Sequence, residues 1–440
     1  LAGMVLEVVK VEPDDRRSVL DPQVIARCRE IGRADILVGI PSFRNAETIA
    51  HVVRTAAEGM VRYFPGLKAV LVNSDGGSTD DTVQVVLDTP VPPGVEKIVT
   101  PYKGLPGKGS AFHAIFEIAV RLGARICVVV DSDLRSITPE WIRLLGEPVW
   151  KGSYGFVAPY YIRHKYDGTI TNNLAYPLTR ALYGRRIRQP IGGDFGFTGS
   201  LALIYSHMDV WQSDIAKFGI DIWMTTTAIT EGFRVCQSAM GVKVHNVKDP
   251  GSDLGSMFTQ VASTIFYLMG EHEVKWMQVR GSTSIRIFGD IRYEEPASME
   301  INVENLVDHF QAGFAEYREV WERVLDPAVF MELALAARSR EEDFSLPEGV
   351  WARAVYDFAV AYNFDCGLTR REVVEALIPV YCGRTADFAM RARNMSNLEA
   401  EQMVERQAEA FELLKPYLVE RWLKAKASAA GEPQGLLPVS

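Results

Sequence analysis

The first third of the chain alternates apolar runs with segments whose apolar positions recur every three or four residues. Runs at residues 36–40, 69–73 and 126–130 are apolar at nearly every position, and a fourth strand is expected at 96–99. Continuous runs of this kind suit strands buried on both faces of a parallel sheet. Helical patterns begin near Glu47, Asp80 and Gly109, so strand and helix alternate, which predicts a doubly wound α/β sheet. Residues 155–161 read as a further strand and 171–183 as a helix. Residues 234–237 and 242–245 read as two short strands ahead of a helix from about Leu254. Gly192, Gly193, Gly196 and Gly199 read as one loop whose backbone approaches a ligand closely. Past about residue 295 the strand signals stop, and 306–325, 327–337, 348–362, 369–380 and 398–423 are helical by period. The pattern predicts an α/β domain over residues 1–295, a helical C-terminal region over 296–430 and a disordered tail over 431–440.

Composition narrows the class. At 440 residues, 48% hydrophobic and 23% charged, the chain has the make-up of an ordinary soluble protein of about two domains. A net charge of −9 argues against nucleic acid as a partner. The five cysteines include no CxxC pair, which fits a reducing cytoplasm. No secretory segment is recognised, and no apolar run approaches the roughly 20 residues that span a bilayer.

Candidate chemistry gathers at the strand ends. Asp131-Ser132-Asp133 follows the run 126–130, at the edge where open α/β sheets bind ligands. Two carboxylates held close resist joint ionisation unless a cation neutralises them. A hard divalent metal does so while also holding phosphates; the same pattern serves equally as a turn or helix cap. The first strand ends in Pro41-Ser42-Phe43-Arg44-Asn45-Ala46-Glu47, with Asn45 a candidate N-cap. The second runs into Ser74-Asp75-Gly76-Gly77-Ser78-Thr79-Asp80-Asp81, where Asp75 can accept from a base N–H or a ribose hydroxyl. Pro106-Gly107-Lys108-Gly109 has the look of a phosphate-binding turn without P-loop spacing. The Arg163 fork suits a carboxylate, although Arg163-His164-Lys165 also reads as a solvated turn. Arg185, Arg186 and Arg188 read as surface charge or a phosphate contact. Leu398, Met403 and Phe411 form an apolar helix face for core or for a subunit interface.

In order and spacing, PSFRNAETI, SDGGSTDDT, PGKG and DSD resemble the GT-A glycosyltransferases. Downstream, Gln189-Pro190-Ile191-Gly192-Gly193-Asp194, Phe218-Gly219-Ile220-Asp221, Val244-His245 and the Arg163, Asp167, Thr171 spacing resemble its retaining mannosylglycerate and glucosyl-3-phosphoglycerate synthases. The resemblance spans roughly residues 36–270. It implies a GT-A fold, with a Rossmann-like, mostly parallel nucleotide-sugar half over about 36–133 and an acceptor half over about 134–295. It implies Mg²⁺ or Mn²⁺ held by Asp133 and His245. Donor contacts would come from Pro41, Phe43, Glu47, Ser74, Asp75, Gly76, Lys108, Asp131 and Ser132. Acceptor contacts would come from Arg163, Asp167, Thr171, Gly193 and Met257, with Asp133, Asp194 and Asp221 at the reacting centre. Some relatives carry Gly-Gly-Glu where this chain has Asp194, which sets that carboxylate apart.

The implied reaction moves glucose or mannose from a UDP- or GDP-hexose to the 2-hydroxyl of D-glycerate or 3-phosphoglycerate, with retention. A cytoplasmic homodimer or higher homo-oligomer, without nucleic acid or membrane partners, is expected. Three alternatives stay open. An inverting GT-A transferase acting on a polyprenyl phosphate or polysaccharide would use Asp194 as general base. A sugar nucleotidyltransferase would carry a glycine-rich loop after the first strand, where this chain has Pro41-Ser42-Phe43-Arg44. A non-catalytic sugar-nucleotide-binding protein is the third.

Overall fold

A computed structural model of the chain describes residue 15 and residues 18–244 and 254–430. The strands are β1 (Ile36–Ser42), β2 (Ala69–Asp75), β3 (Val95–Pro101), β4 (Ile126–Val129), β5 (Phe156–Ile162), β6 (Phe195–Thr198), β7 (Val235–Val242) and β8 (Ile287–Phe288). The helices are α1 (Pro22–Ile31), α2 (Ile49–Tyr63), α3 (Thr82–Asp88), α4 (Lys108–Arg121), α5 (Pro139–Lys151), α6 (Tyr176–Tyr183), α7 (Gly199–His207) and α8 (Ile220–Thr230). They continue as α9 (Leu254–Glu271), α10 (Glu273–Met277), α11 (Val303–Val324), α12 (Pro327–Ala336), α13 (Glu348–Asn363), α14 (Arg370–Ala392), α15 (Asn397–Leu413) and α16 (Lys415–Ala429). The described chain divides into two units. One holds residues up to 161, 192–244 and 286–293; the other holds 162–191, 254–285 and 294–430.

The first unit is built on one sheet in the order β3-β2-β1-β4-β6-β5-β7-β8. β1 pairs in parallel with β2 and β4, and β2 with β3. β6 runs antiparallel to β4 and β5. Ile36, Val38 and Ile40 of β1 share a core with Val52 and Ala56 of α2 and Ile142 of α5. The two-residue period turns Gly39 to the opposite face, where a Cβ would lie 2.5 Å from Ile115 Cγ2 of α4. Helices therefore cover both faces, and the α/β class and mostly parallel sheet expected from the sequence are present.

Some elements differ from expectation. The glycine-rich stretch is not one loop: Gly196 lies within β6, and Gly199 opens α7. Cβ atoms at 196 and 199 would sit 2.0 Å from Leu145 O and 1.9 Å from Ala124 O, so these glycines admit neighbouring backbone, not a ligand. Residues 234–237 and 242–245 do not form two strands; 235–242 is one strand, and residue 245 lies outside the described residues.

The second unit is helical. One π-helical turn at Thr171–Ala175 leads into α6. Trp351 Nε1 donates to Asn173 O at 2.7 Å, and Gln407 Nε2 donates to Asn172 O at 2.7 Å. Asn363 Nδ2 donates to Phe266 O at 2.8 Å, and Lys415 Nζ to Trp276 O at 2.6 Å. Residues 162–191 and 254–285, expected in the α/β domain, thus group with the C-terminal helices, so the units are not divided by one cut at residue 295. Residues 398–423, expected as one helix, form two, because Pro416 in the first turn of α16 cannot continue α15. Met403 and Phe411 are fully buried within this unit, whereas Leu398 is 59% exposed. Arg188 is not surface charge: it is buried, with Nη2 2.8 Å from both Glu401 Oε2 and Asn172 Oδ1. The tail at 431–440 lies outside the described residues. No helix among the described residues is long and apolar enough to cross a membrane.

Candidate active site

The carboxyl ends of β1, β2 and β4 lie side by side because these strands are parallel neighbours. Their loops therefore converge on one edge of the first unit. Asn45, expected to cap α2, does not; the N-cap is Thr48. The Asn45 side chain instead accepts from Phe43 N at 3.0 Å and from Ser132 Oγ at 2.8 Å. Thr48 Oγ1 donates to Ser132 O at 2.9 Å. The β1 loop thus grips the turn between Asp131 and Asp133.

Asp75 was expected to accept from a nucleoside, yet its buried carboxylate already serves its own turn. It accepts from Ser42 Oγ (2.7 Å), Gly77 N (2.9 Å), Ser78 N (2.7 Å) and Ser78 Oγ (2.7 Å). Pro41 and Ser74 are buried, and Ser74 Oγ finds no hydrogen-bond partner among the described residues. Glu47 is exposed and Phe43 is 54% exposed. The Arg44 guanidinium carbon lies 5.0 Å from the Phe43 ring centroid. A Cβ at Gly76 would meet Phe43 Cδ2 at 3.3 Å, so that turn runs against the same ring.

Lys108 begins α4. A Cβ at Gly107 would lie 2.5 Å from Ala216 O, and one at Gly109 would lie 1.9 Å from Ile215 O. Gly109 N donates to Lys217 O at 3.1 Å. The glycines thus let residues 215–217 pass against the start of α4, and the amide expected to face phosphate faces that carbonyl. The Lys108 ammonium is the chemical feature here. It lies 2.8 Å from Asp131 Oδ1 and 3.1 Å from Asp221 Oδ1. Asp221 stands in the first turn of α8, where the helix dipole favours a carboxylate.

A second lysine, Lys243, went unnoticed in the sequence. Its Nζ donates to Asp131 Oδ2 at 2.9 Å, to Asp194 Oδ2 at 2.8 Å and to Gly192 O at 2.9 Å. Asp194 is wholly buried; it also accepts from Asp131 N at 2.8 Å and from the Tyr161 hydroxyl. The available signal was one charged position between Val242 and Val244. Gly193 has φ +89°, and a Cβ there would lie 2.2 Å from Asp131 Oδ2, so this residue must be glycine for the turn to approach the carboxylate.

Burial raises the Asp131 carboxyl, but Lys108 and Lys243 outweigh it and hold the group well below the usual carboxylate range. Burial would lower the Lys108 ammonium, yet Asp131 and Asp221 keep it above its ordinary value. Asp221 moves the other way: burial raises it, and Lys108 only partly offsets this.

These charges decide where a metal fits. Each Asp131 oxygen faces an ammonium, so Asp131 does not offer a donor to a second cation. Asp133, partly buried at the end of the same turn, carries a carboxylate oxygen of the hard kind that Mg²⁺ or Mn²⁺ prefers. Among the described residues no three His, Cys, Asp or Glu side chains gather as a complete metal site. The second expected ligand, His245, lies outside the described residues. Its neighbour Val244 is held beside the Asp133 turn: Val244 O accepts from Arg135 N, and Val244 N donates to Ser136 Oγ, each at 2.9 Å.

The expected acceptor residues lie in the second unit, except Gly193. Arg163 Nη1 pairs with Asp167 Oδ2 at 3.2 Å. A Cβ at Gly168, where φ is +67°, would meet Arg163 Nη1 at 3.5 Å and Thr171 Oγ1 at 3.8 Å. The turn 163–171 therefore does bring Arg163, Asp167 and Thr171 together, and Met257 is partly buried on α9.

Fold and site define an α/β protein with a lysine-bridged carboxylate cluster at the carboxyl edge of a parallel sheet. Among solved structures it is similar to glucosyl-3-phosphoglycerate synthase from Mycobacterium tuberculosis. The complex of that enzyme with Mg²⁺ and UDP is 23% identical over 55% of this chain and 82% of that one, with TM-score 0.42. Its complex with Mn²⁺, UDP-glucose and phosphoglyceric acid is 24% identical over 56% and 84%, with TM-score 0.43. No family model and no curated protein matches the chain.

Proposed function

We propose that the chain is a nucleotide-sugar-dependent hexosyltransferase of the GT-A type. It would move glucose or mannose from a UDP- or GDP-hexose to the 2-hydroxyl of D-glycerate or 3-phosphoglycerate, with retention. The observation that carries this reading is the Lys108 ammonium bridging Asp131 and Asp221, two residues from Asp133, at the carboxyl edge of β4. Lys108 supplies positive charge for a departing diphosphate, and Asp221 accepts from sugar hydroxyls. The Arg163 fork, with Thr171 beside it, suits an acceptor carboxylate. Phe43 offers an exposed ring for a base. Mg²⁺ or Mn²⁺, held by Asp133 and His245, would when bound neutralise the diphosphate.

Retention is favoured by Asp194. An inverting enzyme would need that carboxylate as a base open to the acceptor hydroxyl. Here it is wholly buried and already accepts from Lys243, Tyr161 and a backbone N–H. The protein then contributes positioning and fixed charge while the acceptor attacks from the face the diphosphate leaves, its hydroxyl proton passing to the departing diphosphate oxygen as the C1–O bond to that oxygen breaks. A homo-oligomer in the cytoplasm belongs to the same proposal.

The test is a grid of UDP-glucose, GDP-glucose and GDP-mannose against D-glycerate and 3-phosphoglycerate, with Mg²⁺ or Mn²⁺. Turnover in at least one cell, abolished in a folded Asp133→Ala variant, is expected. An empty grid defeats the acceptor and donor assignments together.

A further inference from the structure

The two ammonium groups at the end of β4 are not equivalent. The Lys108 side chain is 14% exposed and reaches across to Asp221, whereas that of Lys243 is 4% exposed. Lys243 Nζ is surrounded by Asp131 Oδ2 at 2.9 Å, Asp194 Oδ2 at 2.8 Å and Gly192 O at 2.9 Å. These are charge-assisted distances, and the oxygens come from two separate stretches of chain, the end of β4 and the turn before β6. The Tyr161 ring centroid lies 5.2 Å from the same nitrogen. Two anionic oxygens and a carbonyl around one cation form the kind of oxygen cage that a metal ion takes. Here the cation belongs to the chain.

We propose that Lys243 is a positioning residue acting as the resident cation of the Asp131–Asp194 pair. It fixes Asp131 Oδ2 and the 192–194 turn, leaving Oδ1 to Lys108 and leaving any divalent ion to Asp133. Without it the wholly buried Asp194 loses its ammonium and faces Asp131, which keeps only Lys108 on its other oxygen. The aspartates of the Asp131-Ser132-Asp133 motif then have separate duties: one is locked by lysine, the other meets the metal. This division concerns how the site is held together and stands whether or not the transferred group is a hexose.

The test uses Mn²⁺ alone on the full chain, in an Asp133→Ala background that silences the expected metal position. Adding Lys243→Ala removes the ammonium and leaves the three oxygens. The double variant is expected to withdraw about one equivalent of Mn²⁺ from the free-ion EPR signal and to melt higher with Mn²⁺ than with EDTA. The Asp133→Ala parent should do neither. Equal Mn²⁺ response in the two proteins overturns the proposal.

If Lys243→Ala does not fold even with Mn²⁺, Lys243→Met in the natural chain replaces it, compared in EDTA with Lys243→Met/Asp194→Asn. Removing the surplus carboxylate should raise the melting temperature of the double variant above that of Lys243→Met, a coupling that independent sites lack. Lys243→Arg, which keeps the charge, should recover part of the loss. A double variant no more stable than Lys243→Met, with no recovery by arginine, overturns the resident-cation role.

Discussion

At Asp221 a buried carboxylate shares the Lys108 ammonium with Asp131. Burial raises its pKa above the unfolded value despite Lys108. The folded chain therefore binds this proton more tightly than the unfolded chain, and the group's contribution to stability falls as pH rises through the folded pKa. Asp221→Asn should accordingly melt higher at pH 7 while kcat/KM drops about 10²–10³-fold, the loss typical of one aligned polar contact in a reacting site. A variant that is less stable and fully active contradicts both halves. Asp131 has the opposite sign. Its folded pKa is depressed, so its stabilisation is present above the unfolded value of about 3.9 and is lost as pH falls through the folded one. Asp131→Asn should thus be less stable than the parent at pH 7 in urea denaturation, with a gap that narrows at pH 3. A gap that stays constant between the two pH values would separate Asp131 from its lysines.

Among elements, α4 shows how local sequence sets the site. Gly109 lets the 215–217 segment pass within van der Waals reach of the helix start, where Lys108 is mounted. Gly109→Ala should cost about 1–3 kcal/mol, as overpacking does, and should lower activity in proportion to the shift of Lys108; denaturation midpoint and kcat/KM together check this. The parallel strands were legible because Ile36–Ser42 and Ile126–Val129 are buried along their length, which writes an unbroken apolar run into the sequence. β6 was not legible, because Gly196 is dictated by Leu145 O across space and looks locally like a loop residue. The end of α14 was also missed. The expected helix already carried Pro379 but ended at residue 380, whereas α14 runs on to Ala392, and a Cβ at Gly313 of α11 would lie 2.2 Å from the Pro379 ring. The Asp131, Lys108 and Asp221 cluster was visible as separate motifs. Lys243 was not, since nothing local distinguishes a lysine with three protein acceptors from a solvated one.

At the scale of the whole molecule, the chain leaves the sheet-bearing unit after Tyr161 and returns to it at Gly192. The excursion 162–191 relies on helices far along the sequence: Trp351 on Asn173 O, Gln407 on Asn172 O, and the buried Arg188–Glu401 pair. A chain ending at residue 295 would keep every strand but lose these supports. It should expose the α6 and α9 faces, aggregate or melt without cooperativity in circular dichroism, and show no turnover; a soluble, cooperatively folding 1–295 fragment contradicts this dependence. The central claim is transfer with retention at a site where Asp194, the base an inverting enzyme would use, is enclosed. The most direct measurement is ¹H NMR of the anomeric proton in product formed from an α-linked nucleotide hexose, read before any equilibration. The account predicts an α-linked glycerate or phosphoglycerate glycoside. A β-linked product, or none from any donor and acceptor pair, contradicts it.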